Sequence, residues 1–322
     1  MDTVAPVWLW FVFVGTVVVA LAVDFVVLRS QGSHRVGIAE AVRWSAVWVA
    51  MALAFNALLW WVVARELGDA VARTRALEFL TGYLIEKSLA VDNIFVFLLI
   101  FTSLGVPAEL HKRVLMFGVV GAIVLRTLMI IVGAWLIAQF HWVLYLFGAL
   151  LVVTGLKMAW AAGGAPNLED NPALKLLRRV LPVSKAYDGE RWFTLQEGQR
   201  MATPLLLVIV LVALTDVIFA VDSIPAIFAI TTDPFIVLTS NVFAVLGLRA
   251  MYFLLAAAAA RFHLLSYGLA VVLVFVGGKM LVADLIKIPA LASLGVVVGI
   301  LAATMVWSQL TAPKPIEPAP TP

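Results

Sequence analysis

Two acidic motifs sit inside apolar runs long enough to cross a bilayer. They are Glu86-Lys-Ser-Leu-Ala-Val-Asp92-Asn93-Ile and Asp216-Val-Ile-Phe-Ala-Val-Asp222-Ser223-Ile-Pro225. Each holds two acids six residues apart, with Ala-Val-Asp around the second. A carboxylate in hydrocarbon costs a few kcal/mol at least, so four of them in matched pairs point to a polar site at membrane depth. Glu86, Asp92, Asp216 and Asp222, with Asn93 and Ser223 beside them, are candidate ligands that all offer oxygen. Oxygen-only sites suit Mg²⁺, Ca²⁺ and Mn²⁺, and spacing alone does not choose among these. Asp24 and the amides of Asn56 and Asn241 are further candidate donors. The second reading of these acids is neutralisation. Asp24, Glu86, Asp92, Asp216 and Asp222 face an equal number of intramembrane bases, Lys87, Arg126, Lys157, Arg249 and Lys279, so every acid has a possible ion-pair partner. Arg126, Arg249, Lys157 and Lys279 read as tethered countercharges that occupy the carboxylates when no cation is bound.

The elements that carry these residues follow from composition. Of 322 residues 64% are hydrophobic and 13% charged, and the mean hydropathy is +1.07, which is far outside the soluble globular range. At about 20 apolar residues per crossing, nine segments qualify, near 7–28, 42–64, 79–103, 114–138, 142–162, 204–231, 235–258, 264–286 and 289–310. The expected fold is therefore an all-α membrane protein of nine transmembrane helices, set in a lipid bilayer. Thirteen Lys and Arg in one set of loops against four in the other place the N-terminus outside and the C-terminus in the cytoplasm. The first segment has no basic leader and contains Asp24, which fits a retained helix. Many of the eleven tryptophans fall near span ends, as interfacial anchors do. The bases form no continuous face, so no nucleic-acid partner is expected. The chain has no cysteine, hence no thiolate metal site, and no phosphate loop or hydrolytic triad; it is not expected to be an enzyme or to hold a tightly bound cofactor.

The chain also repeats itself. Residues 140–161 align without gaps to 262–283, sharing Phe-His-x3-Tyr-x5-Leu-Val-x2-Gly-x-Lys-Met-x2-Ala. Leu125-Arg126 and Leu248-Arg249 lie between the acid helix and the lysine helix of each half, so the order acid, acid, arginine, lysine occurs twice. Each unit contains three spans, an odd number, which makes the repeat inverted: helices 3–5 against helices 6–8. Such repeats underlie many secondary transporters with a site near the midplane. The expected division is 1–77 for peripheral helices 1 and 2, 78–162 for the first repeat, 163–203 for a cytoplasmic loop with a short helix at 172–181, 204–286 for the second repeat, 287–311 for helix 9, and 312–322 for a proline-rich disordered tail. Six residues turn a straight helix by about 600°, which is 120° short of two full turns. The acids of one motif therefore converge only if their helix is distorted, and Pro225, which frees the carbonyl of Val221, supplies a cause in the second motif. His141 and His263 match across the repeat and read as interfacial or cap residues.

The two motifs, together with Thr239-Ser-Asn241-Val-Phe-Ala-Val-Leu-Gly-Leu-Arg249-Ala-Met-Tyr-Phe, resemble the signatures of the TerC family. The resemblance runs from the first helix to the ninth. It implies a bacterial inner-membrane protein of the LysE-like transporter superfamily, some members of which are linked to manganese export and others to tellurite resistance. By that resemblance Glu86, Asp92, Asp216 and Asp222 are the acids expected to handle Mn²⁺ in its export from the cytoplasm. Carboxylates that release a dication at low dielectric would tend to take up protons, so protons are expected as the counter-moving ion. The alternatives are an exporter of an anion such as a tellurium oxyanion, with the arginines and lysines as ligands, and a non-transporting membrane hub that supports metal loading or insertion of other proteins. Ala213 stands where the family usually has Glu, three residues before Asp216, a departure that implies weaker metal binding or altered coupling. Tyr83 occupies the equivalent place in the first half.

Overall fold

A computed structural model of the chain describes residues 3–31, 37–140, 142–161, 182–184, 186–196, 199–258, 264–282, 285–286 and 288–311. His141, His263, the 172–181 segment, the tail from 312 and the side chains of Asp92 and Asp222 lie outside the described residues. The described chain is helical apart from one short hairpin. The helices are α1 (Val7–Gln31), α2 (Ile38–Leu67), α3 (Asp69–Ser103), α4 (Ala108–Gln139), α5 (Val143–Ala161), α6 (Pro204–Phe228), α7 (Pro234–Leu246), α8 (Leu248–Ala258), α9 (Leu265–Leu281) and α10 (Ala290–Leu310). Strands β1 (Phe193–Gln196) and β2 (Gln199–Ala202) pair antiparallel between α5 and α6.

Among the described residues, six helices are long and apolar enough to span a bilayer, or seven if α7 and α8, bent by 46° across Gly247, count as one. The two expected spans that miss this standard do so for visible reasons. Helix α3 is 35 residues long but carries Glu78, Glu86, Lys87 and Asp92 along its apolar part, and α9 has only 17 residues.

Local chemistry sets several boundaries. Asp233 caps α7 by accepting from the N–H groups of Phe235 (2.9 Å) and Ile236 (3.4 Å), with Pro234 in the first turn, where its missing N–H costs nothing. The other Asp233 oxygen accepts from Val4 N at 2.8 Å, which ties the segment before α1 to α7. Between α2 and α3 the chain turns at Gly68 with φ +90°, a conformation that a side chain would strain. The hairpin is fastened to α6 by Thr203, whose hydroxyl donates to Arg191 O at 2.7 Å, and to α4 by Trp192 edge-on to Phe117 at 4.9 Å. Tyr187 donates to Leu104 O at 2.9 Å, and burial pushes its phenol above the ordinary value, so it stays a donor. Neither the hairpin nor these ties were anticipated for the 163–203 loop.

The core divides into two apolar clusters. One gathers Phe13, Phe55, Phe79, Phe235 and Phe243, with Phe55 and Phe243 at 4.7 Å between ring centroids. The other gathers Ile94, Phe97, Phe101, Val119, Leu211 and Tyr252. Three helices pass from one cluster to the other, and each changes cluster at a charge. Helix α3 changes between Ile85 and Ala90, around Glu86; α4 between Ala122 and Ile130, around Arg126; α6 between Val212 and Ala220, around Asp216, while α7–α8 contributes to both clusters on either side of Gly247. The polar side chains thus lie in a layer between two apolar ones. Helices α3 and α6 cross that layer in opposite directions, α3 leaving the first cluster and α6 entering it.

Helices α5 and α9 pack backbone to backbone. A Cβ on Gly155 would lie 2.8 Å from Ala270 O, and one on Gly277 would lie 2.7 Å from Gly148 O. The contacts run antiparallel, 148 with 277 and 155 with 270. Under the 140–161 to 262–283 alignment, Gly155 matches Gly277 and Gly148 matches Ala270, so the two contacts are one contact made twice. Around this seam α3 packs on α7 and α4 on α6.

Candidate functional site

Arg126 is the centre of the polar layer. Its side chain is 1% exposed, and those of Glu86 and Asp216 are 0% and 3% exposed, so all three groups are out of water. The guanidinium engages Asp216 through two parallel bonds, Nε to Oδ2 and Nη2 to Oδ1, each 2.9 Å. Its Nη1 donates to Glu86 Oε1, to Ser223 Oγ at 3.2 Å and to Asn241 Oδ1 at 3.5 Å. Asn241 returns a bond from Nδ2 to the other Glu86 oxygen at 3.2 Å, and Asn93 Nδ2 donates to Asp216 Oδ1 at 3.5 Å. A planar fork with five donors fits this set of acceptors better than an ammonium would. Removing either acid would leave a buried cation short of charge, and removing the arginine would leave two buried carboxylates unpaired.

Four elements supply these groups: α3 gives Glu86 and Asn93, α4 gives Arg126, α6 gives Asp216 and Ser223, and α7 gives Asn241. The expected candidates Glu86, Asn93, Asp216, Ser223 and Asn241 are therefore neighbours. The backbones of Asp92 and Asp222 belong to α3 and α6, six residues beyond Glu86 and Asp216.

Other candidates lie elsewhere. Asp24 of α1 pairs with Arg249 of α8, a separate buried ion pair with 8% and 9% of the two side chains exposed. Asn56 is buried in α2 with its Oδ1 unbonded among the described residues. Lys157 is exposed on α5, whereas Glu86 and Asp216 are buried. Lys279 of α9 is partly buried, within the field of Glu78 of α3. The expected distortion at Pro225 is absent as a break: α6 continues through Pro225 as a single helix from Pro204 to Phe228. The break is in the following span, at Gly247 between α7 and α8. Asp216 and Glu86 meet because two helices pack together, so no unwinding within either helix is needed to join them. Ala213 lies against Gly121 of α4, to which its Cβ stands 3.7 Å from the place of a missing Cβ.

The arrangement presents two carboxylates from two different parts of the chain to one cation, with an amide oxygen and a hydroxyl at its edge. Here the cation is the protein's own guanidinium. Among the described residues no group of three or more His, Asp and Glu is gathered that could hold a metal ion. Any dication reaching Glu86 and Asp216 would compete with Arg126 for the same oxygens.

A helical membrane protein with paired acids and an arginine in its apolar interior is the class that fold and site define. The model of the TerC family of integral membrane proteins matches residues 71–315, and the chain belongs to that family. It is 56% identical over 306 residues, 95% of this chain and 96% of the relative, to a Shigella flexneri protein named "Putative membrane-bound redox modulator Alx". The same identity and name hold for a protein of Escherichia coli strain K12, at 95% of each chain. An uncharacterized membrane protein of Myxococcus xanthus, STKORF319, is 47% identical over 93% of this chain and 91% of its own. No solved structure matches the chain.

Proposed function

We propose that this protein is a secondary carrier in the bacterial inner membrane that exports a divalent cation, foremost Mn²⁺, from the cytoplasm by alternating access, with protons moving the other way. The observation that carries this reading is the meeting of Glu86 and Asp216. These acids hold equivalent positions in the two sequence motifs, are buried, and share one cation, Arg126. Two carboxylates against one guanidinium leave a negative balance among the described groups, which favours a cation over an oxyanion as cargo.

The repeat reading draws support from three features: the α5–α9 contact made twice in antiparallel sense, the opposite passage of α3 and α6 through the polar layer, and the exchange of α3–α7 with α4–α6 packing. Inverted halves around a midplane site are the architecture of alternating access. In the proposed cycle the dication displaces Arg126 from Glu86 and Asp216, and the change of pairing biases the equilibrium between inward and outward states. On release of the ion the carboxylates take back the arginine or a proton. Manganese rests on the family resemblance, and the residues themselves ask only for an oxygen-coordinated cation. The thirteen-to-four bias of loop charges supports a cytoplasmic C-terminus.

The test is Mn²⁺ uptake into inside-out vesicles with internal pH recorded, for the wild type and for Glu86→Gln, Asp216→Asn, Asp92→Asn and Asp222→Asn. Uptake by the wild type that Glu86→Gln and Asp216→Asn lose, with alkalinisation of the vesicle interior in step with uptake, is the expected result. No uptake by correctly inserted wild type would remove the carrier reading, and uptake that ignores an imposed pH gradient would remove the protons.

A further inference from the structure

The break at Gly247 has an occupant that the carrier reading does not use. Lys87, the residue after Glu86, donates from Nζ to Ala244 O at 3.1 Å. Ala244 lies in the last turn of α7, where the 46° bend at Gly247 turns carbonyls off the helix axis and where the helix dipole is negative. A Cβ on Gly247 would lie 2.5 Å from Lys87 Nζ and 3.3 Å from Trp48 Cβ, so the absence of a side chain there is what admits the ammonium. The face of the Tyr83 ring lies on another side of it, 5.7 Å from Nζ to the centroid, within range of a cation–π attraction.

The other half of the repeat has neither part of this arrangement. Val217 stands at the position of Lys87, Val124 stands at the position of Gly247, and α4 runs unbroken from Ala108 to Gln139. The lysine and the break occur together on one side and are missing together on the other. A carbonyl, an aromatic face and the negative end of a broken helix each attract a desolvated monovalent cation.

We propose that the α7–α8 break is a binding site for a monovalent cation of primary-ammonium size, and that the tethered ammonium of Lys87 fills it in this conformation. The site is separate from the Arg126 centre and does not depend on what the protein transports.

The experiment follows thermal unfolding of the full chain in lipid nanodiscs at constant ionic strength, with methylammonium, Na⁺, K⁺ or choline as the chloride salt. Lys87→Ala is expected to lower the melting temperature by several degrees and methylammonium to restore at least half of that loss, whereas choline, too large for the space, restores none. The wild type is expected not to respond. Lys87→Ala combined with Gly247→Ala fills the vacated space with a methyl group, so the double variant should be less than additively destabilised and blind to methylammonium. A Lys87→Ala protein indifferent to methylammonium, or a wild type and double variant that respond equally, would overturn the proposal. If Lys87→Ala does not accumulate, Lys87→Ser takes its place in the same comparison: recovery of stability with methylammonium supports the site, and indifference to it refutes it.

Discussion

Arg126 and Arg249 hold matching places in the sequence, each after a leucine between an acid helix and a lysine helix, yet they meet different partners. Arg126 turns inward and takes both Glu86 and Asp216. Arg249 reaches Asp24 on α1, a helix outside the repeat. The difference lies two residues upstream. Helix α4 is continuous past Val124, and its arginine follows the helix into the centre, while the span of Arg249 is bent at Gly247, so the helix that carries it leaves in another direction. Among the described side chains the centre thus holds one guanidinium for two carboxylates. An exact two-fold arrangement would place both arginines there and cancel the negative balance of the described groups. On the proposed carrier reading, this asymmetry is what leaves room for the cargo.

The largest effect should come from breaking the inner cluster. Arg126→Met strands two fully buried carboxylates, and loss of one partner of a buried pair costs about 3–5 kcal/mol. Arg249→Met takes the ion-pair partner from one carboxylate, Asp24, which keeps the field of Lys112, so it should destabilise less. Denaturation in detergent micelles measures both, and equal losses would mean that the two arginines are interchangeable after all. Transport sharpens the same contrast. In inside-out vesicles Asp216→Asn is expected to lower Mn²⁺ uptake by about tenfold or more, the equivalent of at least 1.4 kcal/mol, while Asp24→Asn keeps most of it at matched protein levels. A reversed order would move the site to the outer pair. The seam between the halves predicts a smaller and symmetric effect. Gly155→Ala and Gly277→Ala each force a methyl into a backbone carbonyl, at a cost of about 1–3 kcal/mol, and the two should agree closely because the contacts are equivalent. Very different melting shifts would deny the equivalence. The smallest change is expected from Ala213→Glu, which adds an acid three residues before Asp216, beside Gly121. A few-fold tighter Mn²⁺ dependence of uptake is the expected outcome, and an unchanged concentration dependence would show that this position does not contribute to the ion's path.

Much of this centre could be read from residues alone, because intramembrane charge is rare and each instance requires a partner. The acids, the arginines and Asn241 were singled out by that rule, and Glu86, Asp216, Asn93, Ser223 and Asn241 lie together. Which arginine would serve which acid was not legible, since pairing depends on helix directions that spacing does not contain. The sequence pointed to Pro225 for a break, and α6 passes through it as one helix. A proline near a helix end removes a single hydrogen bond, which packing can replace. Gly247 gave little warning, because an isolated glycine in an apolar run is common in membrane helices. Its meaning lies in Lys87, 160 positions away. Lys157 and Lys279 were grouped with the arginines because they match across the repeat, but Lys157 is exposed. Their shared motif carries a different message: its glycine, Gly155 in one copy and Gly277 in the other, is what brings α5 and α9 into contact. The hairpin had a signal that went unused, alternating residues on either side of Glu197-Gly198, a two-residue connection of the kind that joins short strands.

The glycine seam between α5 and α9 also limits how the molecule can move. Points on an axis of rotation stay in place while everything distant from it sweeps through an arc, so a contact with no slack survives a rocking motion only close to that axis. Backbone atoms pressed against backbone atoms at Gly148 and Gly277 have no side chains to rearrange. If the two halves rock, they pivot along this seam, and the long lever arms are α3, α4, α6 and the bent span, whose polar groups lie where a small turn at the pivot becomes a change of access.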